Sequence, residues 1–318
     1  MTGDRRNRNR ERGAALIVVL LLVATLSFIL LSVANVVTAS VKRSSADRAR
    51  TEFYWRAAAG ELLAKKILDK YVATAPQKMA PDDGIFAKPV ELEIEGGTAT
   101  IAFADATQCF NINSLVTAGP GPVGVDAFVI LLTSKGFGEG EARKIGDVIV
   151  DYIDDDSSQQ PQGAEDGYYT ALPTPFRTGG QPIESVSELR ALDGVSRERY
   201  LRMKPYVCAL GAGVPGKVNI NWSREWNAPV LLALQPPGAT VSLNDIISGI
   251  GTPPPGGFSD LTTLNPPLAG IPQYVLTSDR IEAKITLEVN DLTIEEKLLF
   301  DASTAPVRLI ARTFGDDY

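Results

Sequence analysis

The sequence contains no histidine, and that absence removes His-based triads, imidazole general bases and His metal ligands from consideration. Cysteine is nearly absent as well: Cys109 and Cys208 are the only thiols, too few for a cysteine zinc site and the right number for one disulfide. Residues 14–59 lack both glycine and proline, so nothing in that stretch interrupts a helix. Charge is missing from residues 13–41. Base is outweighed by acid over the whole chain, with a formal net charge of −7, which disfavours nucleic acid as a partner.

What is there begins with RGAALIVVLLLVATLSFILL at residues 12–31, preceded by Arg5, Arg6, Arg8 and Arg10. About twenty apolar residues rising about 1.5 Å each cross a bilayer. Because arginines stay cytoplasmic, the rest of the chain is expected outside the inner membrane, where the oxidising space favours a Cys109–Cys208 disulfide. The helical pattern continues through Val33, Val36, Val37, Phe53, Tyr54, Ala57, Ala58, Leu62, Leu63 and Ile67, and predicts one helix to about residue 70 whose outer half packs on a globular domain. Two processing readings stand here. Ser32-Val33-Ala34 and Val37-Thr38-Ala39 mimic signal-peptidase sites, whereas Gly13-Ala14, between a short basic leader and the apolar run, is the kind of junction that prepilin peptidases cut.

Beyond a Pro- and Asp-containing break at 76–84, Val90, Leu92 and Ile94 alternate with glutamates before Gly96-Gly97 and 98–104, the pattern of a β-hairpin. Irregular chain at 105–116 leads to helices at 125–135 and 141–153, then to an acidic loop at 154–167. Two short helices follow, the first opened by a Ser185/Glu188 capping box and stopped at Gly194, the second capped by Ser196 and ended by Pro205. A short strand at 218–221, short helices at 228–234 and 243–247, and a Pro/Gly-rich segment at 249–272 expected to be a mobile surface loop come next. Strands at 281–289, 294–300 and 307–313, the first two joined by an Asn290-Asp291 turn, close the chain. The predicted fold class is α+β, a long N-terminal helix packed on an antiparallel sheet with a large helical insertion. Its predicted divisions are 1–13, a basic leader; 14–70, the helix; 71–110, the first part of the sheet domain; 111–215, the insertion; and 216–318, the remainder.

The acidic loop gathers Asp154, Asp156, Glu165 and Asp166 as hard oxygen donors, with Asp151 and Asp155 able to substitute and Gly163 allowing a tight turn. Such a set suits calcium rather than a transition metal, in a loop that is not an EF-hand. Paired carboxylates also serve hydrolases, but no nucleophile or phosphate cradle accompanies them, so no enzyme is expected. The 189–200 segment is similar to a helix-hairpin-helix DNA-binding unit, yet Asp193 in its turn would repel phosphate; a structural hairpin packing Leu189, Leu192, Val195 and Leu201 is the reading adopted. Asn111, Asn113, Asn219 and Asn221, in two N-I-N boxes, are expected to satisfy turn backbones.

Taken together, the basic leader, Gly13-Ala14, the long helix, the FNIN box, DYIDDD followed by AEDGYY, QPIESVSELRALDGV and VNIN resemble the K-type minor pseudopilins of type II secretion systems. The likeness covers most of the chain up to about Asn221, and its AED-x-YY and P-x-x-x-VSELR segments are specific. It implies a pilin-like fold, calcium in the helical domain, prepilin peptidase cleavage between Gly13 and Ala14, methylation of Ala14, and a place at the pseudopilus tip. The implied partners are other minor pseudopilins of the tip complex, the inner-membrane secretion platform, prepilin peptidase and membrane lipid. The implied location is a single pass of the bacterial inner membrane, N-terminus cytoplasmic and C-terminal domain periplasmic. Val18 would be the fifth mature residue, where most pilins place glutamate. The alternative is a membrane-anchored periplasmic binding or adaptor module with a helix-hairpin-helix-like nucleic-acid-binding segment.

Overall fold

The computed structural model describes residues 4–116, 124–211, 216–236, 238–265, 268–289 and 292–314. These fall into two units that part between Ala58 and Ala59. Helix α1 (Asp4–Val72) belongs to both, starting before the predicted residue 14 and ending close to the predicted residue 70. In the first unit it carries Leu16–Ser45, long and apolar enough to cross a membrane. The Gly13-Ala14 junction lies in the backbone of α1, and the side chains before Leu16 are outside the described residues.

In the second unit the remainder of α1 lies on an antiparallel sheet. Strands β1 (Val90–Ile94), β2 (Gly97–Asp105), β7 (Arg280–Val289), β8 (Leu292–Asp301) and β9 (Arg308–Phe314) are ordered β1-β2-β7-β8-β9. Alternation sets the face: Ile281, Ala283, Ile285, Leu287 and Val289 are all buried on β7. Gly60 lets helix and sheet approach closely, since a Cβ there would sit 3.1 Å from Ile285 Cδ1. Ala64 and Leu68 are fully buried one and two turns further on, and burying a leucine of that kind contributes about 1.5–3 kcal/mol. Polar ties finish the seam: Glu61 pairs with Arg312, and Asp69 accepts the Val307 N–H at 2.6 Å. Strand expectations at 90–104 and 281–313 match these elements; the Asn290-Asp291 turn is outside the described residues.

Between β2 and β7 the chain builds a helical lobe that proves to be two repeats of one motif. The first runs through β3 (Phe110–Asn111), α2 (Val125–Ser134), α3 (Glu139–Ile153), α4 (Asp166–Thr170), α5 (Arg197–Met203) and β4 (Val207–Cys208), with β3 and β4 paired in parallel. The second runs through β5 (Val218–Asn219), α6 (Ala228–Ala233), α7 (Leu243–Ile250) and β6 (Tyr274–Val275), with β5 and β6 paired in parallel. Both repeats feed one core, in which Phe128, Leu132, Ile149, Ile183 and Met203 continue into Val218, Leu231, Ile246, Leu268 and Tyr274. The insertion therefore extends to Val275, not to the predicted residue 215, because α6 and α7 bury their apolar faces in this shared core rather than against the sheet.

Each N-I-N box opens a repeat in the same way. Asn111 Oδ1 accepts the Asn113 N–H at 3.2 Å, and Asn219 Oδ1 accepts the Asn221 N–H at 3.1 Å, the turn role expected of them. Asn113 then grips Ile183, donating to its carbonyl at 2.9 Å and accepting its N–H at 2.8 Å. Asn221 grips Phe258 likewise, donating to its carbonyl at 3.2 Å and accepting its N–H at 2.6 Å. Two residues beyond each gripped residue stands a capping side chain, Ser185 for the helical turn Val186–Ala191 and Asp260 for Leu261–Thr263. The 249–272 segment is thus pinned rather than a loose surface loop, with Leu264, Leu268 and Ile271 in the core. Leu201 differs from its expectation too: it is 51 % exposed on α5, and Tyr200 and Met203 are the buried residues there, since the helix starts at Arg197 and turns that pair inward.

Candidate metal centre

The acidic loop leaves the end of α3, whose own sequence prepares its seat. Asp147 and Asp151 stand one turn apart on the buried side of that helix, 5 % and 0 % exposed. Asp151 Oδ1 accepts the Gln160 N–H at 2.9 Å, and Asp147 Oδ2 accepts the Gln162 N–H at 3.1 Å, so the helix holds the loop by its backbone. Gly163 closes a turn, its N–H donating to Gln160 O at 3.0 Å, and is needed there for close approach: a Cβ would lie 1.9 Å from Asp151 Oδ2. Burial pushes the Asp151 pKa up, offset in part by the Gln160 and Ala164 N–H groups.

Over this seat, Asp154, Asp156 and Glu165 each bring an oxygen within 4.8 Å of the others. Asp154 Oδ1 and Glu165 Oε1 are buried without a hydrogen-bond partner. Burial first, then the charges of Asp156, Glu165, Asp151 and Asp155, push the Asp154 pKa up to about 6, and burial raises Glu165 as well. Uncompensated carboxylates with orphaned oxygens fit a hard divalent cation with oxygen preference.

Asp166, expected among the ligands, stands outside this cluster. As the first residue of α4 it turns toward the far end of the loop, accepting the Thr178 N–H at 2.8 Å, the Thr178 hydroxyl at 2.9 Å and Arg177 Nη1 at 3.1 Å. Those bonds from Thr178 and Arg177 hold its pKa below the ordinary carboxylate range. Its work is to close the loop. Asp147 was not foreseen; its signal was the i, i+4 pairing with Asp151 on a helix side otherwise apolar.

The remaining sites are also placed. Cys109 and Cys208 are joined, Cα–Cα 5.7 Å, beside the β3–β4 pair, and so clip the start of the first repeat to its end. Leu210 and Leu299 pack around that clip and tie it to β8. In the 189–200 turn, Asp193 is ion-paired with Lys144 at 2.7 Å and accepts the Tyr168 hydroxyl at 2.7 Å. A phosphate approaching that turn meets a carboxylate held in place.

Comparison with known proteins bears on this arrangement directly. Residues 108–212, which span the first repeat and the acidic loop, match the family described as Type II secretion system (T2SS), protein K. Type II secretion system protein K of Aeromonas hydrophila is 33 % identical over 307 residues, covering 89 % of this chain and 90 % of the relative. The chain belongs to the type II secretion system protein K family. The protein K of Pectobacterium carotovorum subsp. carotovorum is 29 % identical over 97 % of this chain and 98 % of its own length. The fold agrees with a solved structure, the crystal structure of the GspK-GspI-GspJ complex from the enterotoxigenic Escherichia coli Type 2 Secretion System: one chain matches with a TM-score of 0.72 and 22 % identity, over 86 % of this chain and 99 % of that one. As a protein K, this chain keeps its apolar N-terminal helix, its antiparallel sheet and its disulfide in one α+β fold.

Proposed function

We propose that this protein K is a minor pseudopilin that caps the type II secretion pseudopilus and helps to start its assembly for export across the outer membrane. The observation that carries the reading is Val18, within the apolar stretch Leu16–Ser45. If cleavage after Gly13 exposes Ala14, Val18 is the fifth mature residue, where a glutamate in other pilins meets the ammonium of the subunit above. An ionisable group at mid-membrane costs on the order of 2.5–3.5 kcal/mol and is retained where it has a partner. A subunit with nothing above it has no such partner, and valine suits it. The helical lobe inserted between β2 and β7 enlarges the head, which is awkward inside a helical shaft and free at its end.

On this reading the chain crosses the inner membrane once, places its second unit in the periplasm, and works with other minor pseudopilins and the inner-membrane platform. The GspK-GspI-GspJ complex supports partners of that kind. Calcium is held by Asp154, Asp156 and Glu165, and its charge relieves the repulsion that raises Asp154. The ion supplies structural cohesion and no chemistry. The test is the N-terminal mass of the full chain purified from membranes carrying prepilin peptidase: an N-methylated Ala14 is expected, and an intact leader or a start at Asn35 or Ser40 removes the reading.

A further inference from the structure

The two helical repeats differ most where the first carries its acidic loop. In each, the second long helix is joined to the residue gripped by asparagine: α3 to Ile183 through residues 154–182, α7 to Phe258 through residues 251–257. The long connection holds all the candidate ligands, and among its atoms Asp154 Oδ1 and Glu165 Oε1 are buried without partners. The short one is closed by the protein alone. Gly256 N–H donates to Asp82 at 2.8 Å, Gly257 N–H donates to Pro254 O at 2.8 Å, and Gly257 sits so close that a Cβ would lie 2.7 Å from Asn221 Cγ. Three prolines in sequence, Pro253, Pro254 and Pro255, restrict that connection before folding begins.

We propose that the ion locks the first repeat alone, and that the second repeat is the same motif made independent of metal by proline and asparagine. The inference rests on the calcium reading given above. Removal of the ion leaves the carboxylates of Asp154, Asp156 and Glu165 clustered with no countercharge from it, and the loop they belong to runs on to Ile183. The Asp147 and Asp151 bonds to Gln162 and Gln160 keep the loop near α3, so the repeat loosens locally instead of unfolding. Phe258, Gly256 and Gly257 have no ligand carboxylate among their partners and keep their bonds. The result is a calcium-dependent segment set beside a calcium-indifferent copy of the same motif.

Hydrogen exchange by mass spectrometry on the full chain in detergent, with bound calcium counted by native mass in the same samples, tests this. At calcium about 100 times its Kd, amides in 154–182 that exchange through loop opening are expected to slow by about a hundredfold relative to chelator, because the ion binds only the closed loop. Amides in 251–264 are expected to change by less than about twofold. Bound calcium with similar slowing in both segments, or with none in 154–182, overturns the proposal and leaves the calcium reading standing. No bound calcium overturns both.

Discussion

Asn113→Ala removes the side chain that joins the start of the first repeat to its later half. Asn113 and Ile183 are each 1 % exposed, and the two bonds between them, at 2.9 and 2.8 Å, satisfy both backbone groups of Ile183. Alanine leaves that N–H and that carbonyl buried without partners, at about 1–3 kcal/mol each, so the expected loss is about 2–6 kcal/mol. For a unit of this size, about 1 kcal/mol moves the melting temperature by about 2–4 °C, which puts the shift at about 4–24 °C. Chemical denaturation of the detergent-solubilised full chain, followed by tyrosine and tryptophan signals, measures it as a lowered midpoint at unchanged slope. Asn221→Ala provides an internal comparison, since its bonds to Phe258 repeat the pattern, and the losses are expected to add because the two grips share no partner. A loss below about 1 kcal/mol in both variants refutes the reasoning that these amides are structural clamps.

Replacing Cys109 and Cys208 together by serine is expected to lower stability by up to about 4.7 kcal/mol through the loop it opens, whose ends are 99 residues apart; an unchanged denaturation midpoint contradicts that. Asp301 accepts from Arg280 at 3.0 Å, Arg308 at 2.8 Å and the Ser303 hydroxyl at 2.6 Å. Although burial opposes it, those bonds hold the Asp301 pKa down to about 2. A depressed folded-state pKa contributes stability above the unfolded value, near 3.8, that is lost as pH falls through about 2. Asp301→Asn should therefore cost about 2 kcal/mol at pH 7, with the difference from the parent chain closing toward pH 2 in thermal unfolding; a difference independent of pH contradicts the assignment.

Elements carried by a local period were legible in the sequence. Alternation at Val90, Leu92 and Ile94 and along Ile281–Val289 marks strands because one face of each is buried, and the run without glycine or proline marks α1. Nothing local shows that β2 pairs with β7 across the whole helical lobe, since that choice is made by burying Ile101 and Phe103 of β2 with Ala283 and Ile285 of β7. The asparagine boxes were half legible: a bond to the backbone two residues on follows from Asn alone, whereas the grip on Ile183 or Phe258 depends on tertiary closure. Repetition was hidden because the long 154–182 connection stretches one copy, and because the prolines of 249–272 mask Leu264 and Leu268, which pack without helical spacing. In the candidate site, the density of acids showed the cluster but not the division of labour. Asp166 closes the loop on Thr178, and Asp147 and Asp151 seat it, because side-chain direction at a helix end is set by packing.

Position in the fibre is the central claim, and counting the chain along isolated pseudopili tests it most directly. With a single gold label on the second unit of the full chain, electron microscopy is expected to show one particle per fibre, at an end, and Val18→Glu is expected to leave that count the same or lower it. Labels repeated along the shaft, or a Val18→Glu chain incorporated more abundantly than the parent, would contradict the account.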